Sequence, residues 1–600
     1  LLAAATNTNE SIRLAATAAG VTAQPTLYLD GNEPLTFFSS PACHARGIGQ
    51  QPTNPWDHEP RTYTEALRSP WRKEWEASAH LEMNRHKTLG TWKLTPVSDV
   101  PPGHKIINTR LFGKVKRDAK GNVAKFKSRL VARGDQAEEF QHYHQKASPV
   151  PTSAALRCLL SIAASTGLVL TQFDIQTAFL EEKLDVDNVY LQLPQQFRTW
   201  RYPDGVDRPT ATHNGVIGVQ LVGQCLLGLY GLPQACRLFT KGFATFCTSA
   251  GLEQSDMEPC LWTQTKKRYS YTYPNGRTTY TATDEHDGMT GVEVEPYRIF
   301  LLHHVDDILC ASSANNPFYD KFVTDLNTRY STTGGNSTDI FFLNQEINVS
   351  ETGIQLSQKA HVRQLIDNVL GPGVKPSTEK TPLPTNFVAT KADCPQTELE
   401  QKQNLDIRQK YQSALGQCLW LSTQTRCDIS YAVSVLGRFS HNPSKEAWNA
   451  LRHLCRYLAS TDDLCLQWDR FVEPTLQDQL VSYADSDFGG CPDTARSTSG
   501  FVCMLNGGPI AWSAKRQVLV ATSTCEAELI SLCSASLTTV YLRRLLESFG
   551  IHQQGPTVIE EDNQPAIAVA ESDMQSQRTR HIARRYFKMQ ERGWFNVPKQ

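Results

Sequence analysis

Apolar and polar positions change their period several times along the chain, and each change marks an element. Residues 1 to about 60, rich in Ala, Thr, Asn, Pro and Gly, show little periodicity and read as a disordered leader or linker. From Pro60, positions Tyr63, Leu67, Trp71, Trp75, Ala79 and Met83 recur at helical spacing, which predicts one amphipathic helix ending near Gly90. Leu111 to Val115 and Lys125 to Ala132 then alternate like strands around Asp118-Ala119-Lys120-Gly121, a turn composition, and predict a hairpin. Two apolar strand-like runs follow, one reaching Asp174 and one, Arg298 to Ala311, broken at its centre by Asp306 and Asp307. Between them, the polar, Tyr- and Thr-rich residues 264 to 297 read as an insertion between strands. The last 120 or so residues read as β-β-β-α-β-α, with strands at Val481 to Asp485, Gly500 to Leu505 and Pro509 to Ser513. A long helix from Glu526 to Phe549 is stopped by Gly550 and precedes a strand from Thr557 to Glu561. Boundaries are expected in the proline-containing stretch Pro372 to Gln403 and after Asp469.

Length and composition bound this picture. Six hundred residues give about four domains at the usual size, so a single small module is excluded. The net charge of −1 argues against a uniformly basic nucleic-acid coat, but it is an average. Residues 101 to 134 carry ten Lys or Arg against Asp118 alone, so the predicted hairpin is a basic finger. A second basic stretch, 578 to 600, holds seven against Glu591. Sixteen cysteines without a CxxC indicate neither a zinc ribbon nor a disulfide framework, and an intracellular setting is expected. No run of 18 apolar residues occurs, so no membrane span is expected. The chain opens at Leu1, which fits a piece of a processed polyprotein.

The acids carry the candidate chemistry. Neighbouring side chains on a strand point to opposite faces, so Asp306 and Asp307 inside an apolar run imply a tight turn between two strands. Two unpaired carboxylates there cost several kcal/mol unless a cation neutralises them, and oxygen ligands favour Mg²⁺. With Asp174 they supply what a two-metal phosphoryl-transfer site needs; the plain alternative is a capped surface turn. In the last unit Asp485 and Asp487 share one strand face, Glu526 and Glu528 open the long helix, and Asp562 follows a strand. These acids could form a second two-metal site, or the two glutamates could merely complement the helix dipole. His142 and His144 read as a solvated loop pair, Cys43-His44 and Gly371 to Lys375 as no site, and Asn336-Ser337-Thr338 as a sequon by spelling alone.

Several long stretches, in order, resemble one family. His304-Val305-Asp306-Asp307 is similar to the Tyr-x-Asp-Asp box of reverse transcriptases, and Phe173 to Leu180 to their first catalytic motif. Lys125 to Gly134, Leu229 to Ala235, Tyr190 to Pro194 and Gly353 to Gln358 resemble the copia class of retrotransposon polymerases in particular. Asp485 to Gly490, Arg496 to Phe501, Ser523 to Glu528 and Asp562 to Ala566 look like a copia-type ribonuclease H.

The resemblance implies an α/β (α+β) fold: right-hand polymerase fingers and palm over 61–371, a thumb or connection region over 372–478, and a ribonuclease H-like α/β domain over 479–600. It implies that Asp174, Asp306 and Asp307 hold two Mg²⁺ ions, with Mn²⁺ as the alternative, and that Asp485, Glu528 and Asp562 hold two more. Phe179 would lie beneath the sugar, Gln234 would contact the incoming nucleotide, and Lys127 and Arg129 would meet phosphates. The implied partners are an RNA template, a DNA primer, an RNA:DNA hybrid, deoxynucleoside triphosphates and a parent polyprotein with capsid, protease and integrase. The implied location is a cytoplasmic particle whose product reaches the nucleus. Three positions depart from the family: His304 replaces an aromatic residue, Asn344 a turn glycine, and Ala583 in His581-Ile582-Ala583 the fourth ribonuclease H acid, which implies impaired RNA hydrolysis. These departures favour the alternative of a degenerate, non-catalytic nucleic-acid-binding remnant.

Overall fold

The computed structural model describes residues 60, 62–571 and 595–596, apart from 118–122, 210–217, 274–276, 287–288, 375–377 and 474–476. The leader, the Asp118 to Gly121 turn, Ala583 and the basic tail therefore lie outside the described residues. The fold is mixed α/β. The helix predicted before Gly90 is two helices, Tyr63–Arg68 and Arg72–Leu89. Pro70 separates them, since a proline ring clashes with continuing helical backbone. Gly90 ends the second in the left-handed conformation that glycine adopts at low cost.

The basic hairpin pairs Ile106–Arg117 with Val123–Ala132 and forms one edge of a seven-stranded sheet. Ile106–Arg117 also pairs in parallel with Tyr190–Gln192, which the intervening chain brings back after building part of a second sheet. That second sheet, also seven-stranded, runs Thr278–Thr281, Leu261–Thr272, Val292–His304, Asp307–Ser312, Val169–Ile175 and Thr332–Asn336, with the short strand Glu253–Gln254 paired to Leu261–Thr272 off this path, all antiparallel. Its central strands are apolar throughout because both faces are covered. On one face Ile299, Leu301, Ile308 and Cys310 meet the helices Ala235–Ser249 and Pro317–Arg329 through Phe239, Phe243 and Phe322. On the other, Phe300, Leu302, Leu309 and Ala311 meet the helix Ser153–Thr166. Much of the expected insertion at 264–297 is the continuation of two of these strands, paired as far as Ser270 and Val292, so polar composition there marks an exposed strand arm and not a loop.

The helices Lys359–Leu370, Leu405–Gln424, Ser430–Gly437 and Lys445–Ser460 share a separate core. The expected division at 371/372 thus falls between one helix and those it packs against. The C-terminal unit has a five-stranded sheet in the order Gly508–Arg516, Thr498–Leu505, Leu480–Ser486, Thr557–Glu560, Phe595–Asn596. The helix Thr524–Ser548 lies on it, long and apolar enough to span a bilayer but with 72% of its apolar window buried inside the protein. Val502, Leu505, Ile510, Trp512, Tyr541 and Leu545 of this unit belong to the same core as Leu156 of the helix Ser153–Thr166 and Phe300 and Leu302 of the second sheet.

Candidate active sites

Asp174 ends the strand Val169–Ile175 and stands directly opposite Asp307 in the antiparallel ladder. Asp306 occupies the turn between Val292–His304 and Asp307–Ser312, which Val305 makes possible by adopting φ 55°. The carbonyl of Asp306 accepts from the Ile175 amide at 2.7 Å, so the turn is bonded to the strand carrying Asp174. Burial and the neighbouring Asp174 raise the Asp306 carboxyl, and burial with Asp306 and Asp174 pushes Asp307 up to about 7. A set of hard carboxylate oxygens that repel one another in a half-buried place suits Mg²⁺ or Mn²⁺.

Asp307 is held from a direction the sequence did not reveal. The Gln172 amide Nε2 donates to Asp307 Oδ1 at 2.8 Å and to the Phe341 carbonyl at 2.7 Å. The Leu343 amide also donates to Asp307. Phe341 and Leu343 belong to the hairpin Asp339–Phe342 and Gln345–Val349, whose turn residues Leu343 and Asn344 both have positive φ, 52° and 59°. Asn is among the residues that tolerate this geometry, so the Asn344 departure is compatible with a formed turn.

The basic hairpin faces this acid group through Tyr230. Arg129 stacks 5.0 Å over the Tyr230 ring, and the edge of Phe179 meets the same ring at 4.8 Å. Burial raises the Tyr230 hydroxyl, with Arg129 opposing and Asp306 and Asp174 reinforcing the shift, which puts the ring between cation and acids. The Tyr230 carbonyl accepts from the Ala132 amide at 2.8 Å, tying its turn to the hairpin. Gly231 is required there: its φ is 87°, and a Cβ would lie 2.2 Å from the Ala132 carbonyl oxygen. Lys127 is half-buried and stands opposite Lys114, and Lys116 stands opposite Lys125. Like charges directly across a strand pair are destabilising unless an anion lies between them.

Gln234 is fully buried, with Nε2 donating to the His142 carbonyl at 2.8 Å, so its side chain has no exposed edge for a nucleotide. His142 itself corrects the reading of a solvated pair. It is buried, accepts the Glu138 amide at Nδ1 and so donates from Nε2 to the Lys105 carbonyl, while His144 is exposed. Local composition could not show this, because Lys105 and Gln234, which bond its ring and its carbonyl, lie 37 and 92 residues away in sequence.

In the C-terminal unit Asp485, Glu528 and Asp562 bring one carboxylate oxygen each within 4.8 Å of one another, the only such trio of His, Cys, Asp or Glu among the described residues. Asp174, Asp306 and Asp307 are adjacent without converging that closely. Asp485 comes from the strand Leu480–Ser486, Glu528 from the second turn of the long helix, and Asp562 from just beyond Thr557–Glu560. Asp487 and Glu526 have other work. Asp487 accepts the Thr498 amide at 2.6 Å, and Glu526 caps the helix by accepting the Thr522 amide and hydroxyl, both at 2.7 Å. Burial, then Glu561 and Asp485, push Glu528 up to about 8, and burial with Asp562 and Asp485 pushes Glu561 up to about 7. Glu561, read from sequence only as the end of a strand, is thus electrostatically coupled to this acid group while lying outside the converging trio. The donor set is again hard oxygen, and the buried Glu528 Oε2 has no hydrogen-bond partner among the described residues, as a cation ligand would require.

Residues 90–269 match the family described as reverse transcriptase (RNA-dependent DNA polymerase). The retrovirus-related Pol polyprotein from transposon TNT 1-94 of Nicotiana tabacum is 29% identical over 88% of this chain and 36% of its own length. Those from transposons RE2 and RE1 of Arabidopsis thaliana are 27% identical over 94% of this chain and 35% of their own length, and 28% over 88% and 31%, respectively. The chain spans about a third of the length of these relatives. With acids, basic hairpin and intervening turn where this likeness runs, residues 90–269 carry a reverse transcriptase domain, and the chain is similar over most of its length to the Pol polyproteins of copia-type retrotransposons.

Proposed function

We propose that the chain is an RNA-directed DNA polymerase that adds deoxynucleoside triphosphates to a DNA primer on an RNA template. The sheet bearing Asp174, Asp306 and Asp307 is then the palm, the sheet with the basic hairpin the fingers, the helical unit the thumb or connection, and the C-terminal unit a ribonuclease H-like domain. The observation that carries this reading is the register that sets Asp174 opposite Asp307, with Asp306 in the adjoining turn. Mg²⁺ or Mn²⁺ bound by these three acids would neutralise charge on the attacking and leaving oxygens of nucleotidyl transfer. Gln172 and the Leu343 amide hold Asp307 in place, so less ordering is left to substrate binding. Lys127 and Arg129, on the basic hairpin, bind triphosphate or template phosphate. Phe179, whose ring meets that of Tyr230, would crowd a 2′-hydroxyl of the incoming sugar. Gln234 acts by holding the 229–235 turn through His142.

Asp485, Glu528 and Asp562 form the second site, which acts on the RNA strand of the RNA:DNA hybrid, weakly where Ala583 stands for an acid. The remaining two thirds of a parent polyprotein would supply capsid, protease and integrase. The second reading, a non-catalytic nucleic-acid-binding remnant, draws on His304, half-buried against Asp306, and on Ala583. Primer extension on an RNA template with Mg²⁺ and deoxynucleotides separates the two. Extension lost in the Asp306→Asn, Asp307→Asn double variant supports the polymerase; no extension above that variant supports the remnant.

A further inference from the structure

We propose that Glu561 is a fourth carboxylate ligand in the divalent-cation site of Asp485, Glu528 and Asp562, an assignment that rests on reading that trio as a metal site. The topology delivers it there. The strand Thr557–Glu560 runs parallel to Leu480–Ser486 with Glu560 beside Tyr483, so the residues after Glu560 emerge at the sheet edge where Asp485 sits. Asp562 is exposed at that edge, whereas Glu561 turns inward and is only 2% exposed. Its Oε1 accepts the Asn563 amide at 3.2 Å. Its Oε2 is buried and has no hydrogen-bond partner among the described residues, and the same holds for Oε2 of Glu528, which is 7% exposed. Among the charges acting on Glu528 the largest is Glu561, ahead of Asp485 and Asp562, which sets the two buried glutamates near each other, with Glu561 beside the trio whose oxygens lie within 4.8 Å of one another and not within it.

Four acids with two orphaned buried oxygens cannot be stable as they stand. The side-chain charges acting most strongly on Glu528 and Glu561 are all carboxylates, and among the described residues no lysine or arginine pairs with either. A proton would satisfy one oxygen and leave the trio's geometry unexplained. A divalent cation uses hard oxygen ligands from several directions at once, and a pair of cations needs more carboxylate oxygens than three acids offer singly. Glu561 supplies a bound, oriented carboxylate whose remaining oxygen is free for that purpose. Asn563 fixes the first oxygen, as ordered metal ligands require.

The test is Mn²⁺ binding to the full chain without nucleic acid, followed by the electron paramagnetic resonance of free Mn²⁺ and by metal-induced thermal stabilisation. The Asp306→Asn, Asp307→Asn background silences the other acid group. In that background Glu561→Gln should weaken Mn²⁺ binding by about tenfold or more. It should shrink the Mn²⁺-induced rise in melting temperature and leave the metal-free melting temperature unchanged or higher, because glutamine keeps the Asn563 contact and removes a buried charge. Glu561→Asp, which keeps the charge, should lose distinctly less affinity; equal loss in both variants would mark a packing role and overturn the ligand assignment. Asp485→Asn is the reference. If it loses Mn²⁺ while Glu561→Gln matches the parent, the Glu561 assignment alone is overturned. If Asp485→Asn also binds as the parent does, the metal-site reading itself falls.

Discussion

Gln172 shows how much one neutral side chain can set in a catalytic group. Its amide joins Asp307 to the carbonyl of Phe341 in the hairpin 169 residues beyond Gln172, so the acid and that hairpin move together. A hydrogen bond to a charged group contributes about 1.5–3 kcal/mol, which corresponds to roughly ten- to a hundredfold in rate. Gln172→Ala is expected to lower kcat for primer extension by that factor with the template-primer Kd within about twofold; a Kd change with kcat intact would contradict it. Nothing in the local sequence marks Gln172 or Glu561 for a role, and although Tyr230 lies in the Leu229 to Ala235 stretch, its stacking with Arg129 is set by a partner far along the chain. Asp174, Asp306 and Asp307 were legible for the opposite reason: an acid inside an apolar run is costly wherever the run folds. Asp487 and Glu526, equally acidic, were separated from Asp485 and Glu528 only by the amides they accept.

Among the elements, the two hairpins at the acid group make separate demands. The Leu343-Asn344 turn needs two left-handed residues, which a β-branched side chain resists. Asn344→Gly should therefore leave primer extension within about twofold, whereas Asn344→Val should destabilise the protein by about 1 kcal/mol or more in denaturant titration. The basic hairpin is electrostatic in purpose. Lys127→Ala and Arg129→Ala should each weaken template-primer binding similarly across sequences and reduce the slope of log K against log salt by about one. Unchanged slopes would remove the phosphate contact. Strand alternation and turn composition revealed this hairpin in advance, and glycine ended the helix at Gly90 as read. The polar arm at 264–297 was misread because strand pairing joins residues that local composition cannot connect.

Taken as a whole, the molecule joins its central sheet and its C-terminal unit through one continuous core. Arg157, buried in the helix Ser153–Thr166, sits at that junction. It donates to the carbonyls of Thr423 and Gln424 in the helical unit and of Ile510 in the C-terminal unit, and stacks 3.8 Å over Trp512. Arg157→Ala would strand three buried carbonyls at about 1–3 kcal/mol each, so the C-terminal unit should unfold earlier and separately in denaturant. A single unaltered transition would contradict this. Such a junction fixes the two acid groups relative to each other, although the sequence showed only separate units.

The central claim is that chemistry belongs to the acids of the central sheet while nucleic-acid binding belongs to the basic hairpin. Single-nucleotide incorporation by Asp174→Asn, measured together with its template-primer Kd, tests both halves at once. Loss of incorporation by about a thousandfold or more with Kd within about twofold is the predicted result. Incorporation near the parent rate, or a loss explained by weaker binding alone, would contradict the account.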